Sequence, residues 1–282
     1  MRSRKSRALN NLVLVTFATV GPKTPFRDYS EKVDGLKRFA ESVGIDFKSF
    51  NHMEIASSRF NRYKNEYFKL RKGAGYWHWK PIVILEAIQL FPNSLILYVD
   101  VDVDFVKMEK LKLIRTAMSA PIHAFRTLDL IYDWTSTQCL TNLDPGRAYC
   151  KSYMYVAGII LVNPEFKATE HFLVKWMEAM DNEQSLLDPK NSLCRRHRHD
   201  QSIFSLLAAK ENGIVKDLGP GFWGHGIKMP DIELENIWIG TSLSNFNLNK
   251  DKLTVNSYIR RAISIVRSLL DIRRYYRLKN HD

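Results

Sequence analysis

Short apolar runs alternate with amphipathic stretches along most of the chain, and that alternation predicts its elements. Residues 11–17 (NLVLVTF) read as a buried strand, followed by a proline-bearing loop, GPKTPF. Residues 29–43 carry helical periodicity that ends before Gly44, and 45–50 form a second short strand. Residues 51–72 are polar, aromatic and basic, a mixture of helix and loop. Residues 81–90 form a helix apolar on nearly every side, which must pack under a sheet. A strand at 95–99 runs into DVDVD, 107–118 reads as helix and 122–125 as strand. An irregular polar-aromatic stretch over 127–150 is long enough to cover a substrate. A strand at 155–162, a helix at 169–180, a second long loop at 181–199, a helix at 201–210 and a strand at 214–218 follow. Strand–helix alternation of this kind predicts α/β layers, with helices on both faces of a mostly parallel sheet.

Charge changes the picture at the ends only. The 282 residues hold 42 Lys+Arg against 30 Asp+Glu, a formal charge of +12. Residues 1–7 contribute four basic groups, and residues 252–282 contribute eight against Asp271 and Asp282. The body between them is nearly neutral, so no nucleic-acid partner is expected. The tail carries an apolar stripe (Val255, Ile259, Ala262, Ile263, Val266, Leu269, Leu270) opposite Arg260, Arg261, Arg267 and Arg274. Such a helix either lies on an anionic membrane surface or docks on its own domain. No repeat or linker appears, so one domain over 8–250 and a basic amphipathic tail over 251–282 are expected.

Cys139, Cys150 and Cys194 form no CxxC pair, which fits a reducing compartment rather than a disulfide scaffold. The basic start is followed by LVLVTFATV without a cleavage site, so it reads as a strand rather than a signal peptide. The expected location is cytoplasmic, with the tail as a route to the inner face of the membrane.

Four constellations carry candidate chemistry. In extended chain Asp100, Asp102 and Asp104 would share one face, with alternate Cα atoms about 7 Å apart, a spacing that suits one divalent cation. Carboxylates alone favour Mg²⁺ or Mn²⁺ over zinc. A bare DxD occurs by chance about once in a chain this long; its place at a strand end, where open α/β sheets bind ligands, is the informative part. In GAGYWHWKP, Pro81 suits a first helical position and sets Lys80 at a helix N-terminus, a natural phosphate site. Gly73 and Gly75 permit close backbone approach, and Tyr76, Trp77 and Trp79 offer stacking faces, with Arg71 and Lys72 upstream. The same residues could equally form a buried aromatic cluster. In RRHRHDQS, Asp200 fits an N-cap, and His197-x-His199-Asp200 is also a candidate metal site. The fourth constellation is the tail.

Together these blocks resemble glycosyltransferases of the GT-A fold, especially the family 8-like group that includes bacterial lipopolysaccharide galactosyl- and glucosyltransferases and glycogenin. YVDVDVD resembles that group's strand-end DxD, and YVAGIILVNP its Asn-Ala-Gly strand, with Val156 where Asn would stand. HDQSIFSLL resembles its Asp-Gln helix start, while GYWHWKP and HRHDQS are similar to segments of capsule and lipopolysaccharide glycosyltransferases. The resemblance spans about residues 11–230 and implies a three-layer α/β/α, Rossmann-like domain with a mostly parallel mixed sheet. It implies a nucleotide-sugar donor, most often a UDP-sugar, and a glycan or lipid-linked saccharide acceptor. By the same resemblance Asp100 would contact ribose or metal, and Asp102 would ligate Mn²⁺ or Mg²⁺. Phe17, Ala18 and Thr19 would border the base, and Ala157 and Gly158 the donor sugar. Asp200 would bind sugar hydroxyls, and Gln201 would lie under the anomeric carbon. His225, Gly226 and Lys228 would stand for the diphosphate clamp, with His225 on the metal. Transfer with retention is implied, whereas an inverting enzyme would need Asp200 as base. The sequence leaves two alternatives to this reading: a metal-dependent phosphohydrolase built on the Asp and His clusters, and a non-catalytic basic binder of membrane or nucleic acid.

Overall fold

The computed structural model describes residues 11–20, 26–61, 72–187, 194, 197–220 and 239–242. Its elements run β1 (Asn11–Phe17), α1 (Ser30–Ser42), β2 (Asp46–Phe50), α2 (His52–Ala56), α3 (Gly73–Tyr76), α4 (Trp79–Leu90), β3 (Ser94–Val99), β4 (Asp104–Met108) and α5 (Lys110–Ala117). They continue with β5 (Ile122–Leu130), a 3-10 turn (Ile131–Trp134), α6 (Thr137–Leu143), β6 (Tyr153–Val162), α7 (Lys167–Met180), α8 (Glu183–Leu186), α9 (Asp200–Lys210), β7 (Val215–Pro220) and β8 (Ile239–Ser242).

Six strands form one sheet in the order β2-β1-β3-β6-β5-β7, and β4 and β8 form a separate antiparallel pair. Within the large sheet β1–β2, β1–β3 and β5–β7 are parallel, and only β6 runs against its neighbours. The expected mostly parallel mixed sheet is therefore present. The carboxyl ends of β1, β3, β5 and β7 all lie along one edge.

Alternation along β1 explains the two covered faces. Val13, Val15 and Phe17 join Ile96 and Tyr98 of β3 in a core shared with α4, α7 and α9. Leu12 and Leu14 join Leu95, Leu97 and Val99 on the opposite face, in a core shared with α1 and α5. A strand covered on both faces needs apolar residues at every position, and SLILYV is buried throughout. Helix α4 lies between β1–β3 and α7, which accounts for its lack of a polar face. Burying Ile82, Val83, Ile84 and Leu85 contributes about 1.5–3 kcal/mol each, enough to seat a charged neighbour in the same helix.

Three expectations change. The stretch 107–118 is not one helix, because β4 occupies 104–108 before α5 begins. The stretch 127–150 is mostly ordered as the end of β5, the 3-10 turn and α6, and α8 interrupts the loop over 181–199. DVDVD is not extended: the Val103 amide donates to the Asp100 carbonyl at 3.0 Å, closing a turn between β3 and β4. Asp100, Asp102 and Asp104 are consequently not alternate positions of one strand. The tail over 251–282 lies outside the described residues.

Candidate active site

Three segments distant in sequence meet at the carboxyl end of β3. From α4, the Lys80 ammonium lies 3.1 Å from Asp100 Oδ2 and 2.7 Å from Asp200 Oδ2, and it donates to the Ala157 carbonyl at 3.1 Å. From β3, the Tyr98 hydroxyl donates to Asp100 Oδ1 at 2.6 Å. From β6, the Gly158 carbonyl accepts the Asp100 amide at 2.8 Å. Lys80 is only 3% exposed and Asp200 5%, so this pair stands almost entirely out of water, while Asp100 is half-buried at its edge.

A bulge in β6 makes the junction possible. Between the pairs Ala124–Ile160 and Arg126–Tyr155, β5 advances two residues while β6 advances five. The surplus falls at Val156-Ala157-Gly158. Bulges re-aim backbone groups beside functional sites, and here the carbonyls of Ala157 and Gly158 turn to Lys80 and Asp100.

One buried cation faces three carboxylates, of which Asp200 is buried, Asp100 half-buried and Asp102 exposed. Burial disfavours charge on Lys80, yet the Asp100 and Asp200 carboxylates hold its pKa above the ordinary lysine value. Burial raises the Asp200 carboxyl to about 6, against the pull of Lys80. Burial and then the charge of Asp100 raise the Asp102 carboxyl as well. Tyr98 is pushed well up by burial and by Asp100, which keeps its phenol protonated as a donor. Asp100, Asp102 and Asp200 set three carboxylates against Lys80, with Lys32 also acting on the exposed Asp102, so acidic groups outnumber cations here.

That surplus is the fit test for a divalent cation. Asp100 and Asp102 supply hard oxygen donors in a turn that opens to solvent at Asp102, the donor type that Mg²⁺ or Mn²⁺ takes. Among the described residues no group of three or more His, Cys, Asp or Glu side chains converges on one point. The expected third ligand, His225, lies outside the described residues, as do Arg71, Gly226 and Lys228.

The other expected residues are placed as follows. Phe17 and Trp79 stack at 4.0 Å and 22° inside the core, so neither presents a ring face to a ligand. Ala18 and Thr19 are buried beyond the end of β1, with the Thr19 hydroxyl donating to the Arg27 carbonyl. Lys80 stands in the first turn of α4 as expected, but its charge is engaged by carboxylates rather than open to a phosphate. Gly73 is covered by the Trp77 ring, which would lie 2.5 Å from an added Cβ, so its bareness serves internal packing. Gly75 is buried inside a turn in which all residues from Gly73 to Trp77 have positive φ.

Tyr76, half-buried at the end of that turn, stands edge-on to His199. Asp200 is not an N-cap: it is the first residue of α9, His199 holds the cap position, and the carboxylate is directed to Lys80. Gln201 follows it, half-buried, with its amide donating to the Arg198 carbonyl at 3.0 Å. The His197-x-His199 metal reading fails at His197. Its Nδ1 accepts the Ser136 amide and its Nε2 donates to the Ser185 carbonyl, so both nitrogens tie loops together.

Tyr98 was not anticipated, although a phenol in the apolar run LILYV, two residues before Asp100, is a legible signal. The part-buried pair of His78 Nε2 and Asp181 Oδ1 at 2.6 Å, which fastens the start of α4 to the end of α7, left no such signal.

No protein-family model and no curated protein matches the chain. Among solved structures it is similar to mouse xyloside xylosyltransferase 1 in its apo form, at 13% identity and TM-score 0.44 over 73% of this chain and 84% of that one. It is similar to a glycosyltransferase involved in glycosylation of the major capsid of PBCV-1, at 16% identity and TM-score 0.41 over 73% and 82%. A galactosyltransferase, LgtC, in complex with donor and acceptor sugar analogs aligns at 14% identity and TM-score 0.39 over 72% of each chain. At these identities and scores the functional argument rests on this chain's own residues.

Proposed function

We propose that the chain is a metal-dependent glycosyltransferase that moves a sugar from a nucleotide-sugar donor, a UDP-sugar first among candidates, to a glycan or lipid-linked saccharide acceptor. The observation that carries this reading is the convergence of Lys80, Asp100, Ala157–Gly158 and Asp200 at the carboxyl end of β3. Asp100, Ala157–Gly158 and Asp200 come from the three blocks whose order resembles the GT-A transferases, and Lys80 from GYWHWKP. Nothing in their local sequence requires them to meet.

The chemistry follows from the charges. Glycosyl transfer builds positive charge at the sugar carbon and negative charge on the departing diphosphate. A divalent cation held by Asp100 and Asp102 would supply electrostatic stabilisation of that diphosphate. Tyr98 fixes the orientation of Asp100. Lys80 holds Asp100 and Asp200 at one place, so the Asp200 carboxylate is preorganised for sugar hydroxyls before the donor arrives. Gln201, a poor nucleophile beside it, suits front-face transfer with retention better than a lasting covalent intermediate. The basic amphipathic tail would bring a lipid-linked acceptor and the domain to the same anionic surface. The phosphohydrolase alternative loses its ligand set with the engagement of both His197 nitrogens.

The test is release of nucleoside diphosphate from a panel of nucleotide sugars, with Mn²⁺ and with chelator. Metal-dependent turnover that Asp102→Asn and Asp200→Asn each reduce by on the order of 10²-fold or more is expected. Turnover indifferent to both substitutions contradicts the proposal.

A further inference from the structure

Five consecutive residues, Gly73 to Trp77, have φ between 48° and 99°. A left-handed turn of this length brings Cβ against the following carbonyl at each residue that is not glycine, here Ala74, Tyr76 and Trp77. It persists only where its surroundings hold it. Across the site, His199 is strained too, at φ 47° and ψ −114°. The two strained segments touch. The Trp77 indole lies parallel to the His199 ring (5.8 Å, 22°), and Tyr76 stands edge-on to the same ring (4.8 Å, 72°). His199 Nδ1 is fixed on the Leu186 carbonyl at 2.8 Å, and its far side meets His197 at 4.9 Å. The ring is 3% exposed.

The register gives this contact its meaning. Three residues after Trp77 comes Lys80, one residue after His199 comes Asp200, and these two form the 2.7 Å ion pair. Ring stack and ion pair thus join the starts of α4 and α9 side by side. The geometry points to His199 as a positioning residue: its ring clamps the strained Gly73–Trp77 turn onto the first turn of α9, so that Tyr76 and the Asp200 carboxylate are held as one rigid wall of the site. This inference rests on the transferase reading for its kinetic consequence but not for its structural one. Neither strain alone explains the other; the clamp accounts for both.

The experiment is amide hydrogen exchange on the full chain, as wild type, His199→Gly and His199→Phe. Glycine relieves the backbone strain at 199 and removes the ring, whereas phenylalanine keeps a ring. In His199→Gly, faster exchange is expected together at Tyr76 and Trp77, which donate to Lys72 and Gly73, and at Ile203, which donates to the carbonyl of residue 199. His199→Phe should retain most of that protection. Faster exchange confined to α9 overturns the clamp.

With a nucleotide sugar that wild type turns over, His199→Gly should lower kcat on the order of 10–100-fold, more than it raises KM, and His199→Phe should recover most of the loss. Trp77→Ala should cost little more in the His199→Gly background, because both remove one contact. Losses that multiply, or wild-type kcat in folded His199→Gly, overturn the positioning role. Absence of turnover in wild type counts against the transferase reading alone, and hydrogen exchange still decides the clamp.

Discussion

Helices α2 and α9 begin in opposite ways, and what sets α9 apart is its buried ion pair, since α1, α5 and α7 also start without a side-chain cap. At α2, Asn51 accepts the amides of Met53 and Glu54 while Glu54 returns to the Asn51 amide, a complete capping box built within four residues. At α9, the cap position is a strained histidine with no side-chain cap, and the following aspartate sends its carboxylate to a lysine 120 residues away. Capping by Ser, Thr, Asp or Asn is worth about 1 kcal/mol. A chain that withholds a carboxylate from that use, and buries it instead, has given it another one. The start of α4 follows the second pattern, with no cap, a left-handed approach and a buried cation.

The sharpest way to break this contrast is Lys80→Met, which leaves Asp100 and Asp200 without their shared cation. Removing one partner of a buried pair costs about 3–5 kcal/mol, so the urea midpoint should fall steeply. A loss under about 1 kcal/mol would mean that water already reaches the cluster.

Next in size is the response to metal. Saturating Mn²⁺ at about 100 times its Kd should stabilise the protein by roughly 2.7 kcal/mol. Asp102→Asn, read in the same thermal melts, should remove most of that gain.

A pH series sharpens the contrast at Asp200. Its carboxyl is raised from 3.8 to about 6 in the folded chain, so the folded state binds that proton more tightly than the unfolded state does. The Asp200 contribution to stability is therefore fully present below about pH 4 and is lost as pH rises through about 6. Asp200→Asn should flatten that part of the metal-free stability profile, whereas an unchanged slope would place the titration elsewhere. The smallest effect belongs to the scaffold: Asn51→Ala should cost about 1 kcal/mol in the urea midpoint and leave nucleotide binding unaltered.

The same contrast explains what the sequence could show. The central strands of the large sheet were legible because burial on two faces writes itself as continuous apolar runs, as in LVLVTF and SLILYV. The β4 strand was not, because its partner β8 pairs Asp104 with Ser242 and no local pattern records that distance. At the site, the residue types were legible and their uses were not. Asp200 looked like a cap because local chemistry favours one, and Lys80 looked like a phosphate ligand because it opens a helix. Their mutual pairing is tertiary. Gly73 and Gly75 were recognisable as backbone-permitting residues, but only the fold shows that one admits a tryptophan ring and the other a left-handed turn.

The most direct test of the central claim is calorimetric binding of UDP, GDP, CDP and ADP, with and without Mn²⁺, to wild type and Asp102→Asn. The site described here predicts metal-dependent binding of one nucleotide that the substitution abolishes. Absence of nucleotide binding by folded wild type in the presence of metal would contradict it.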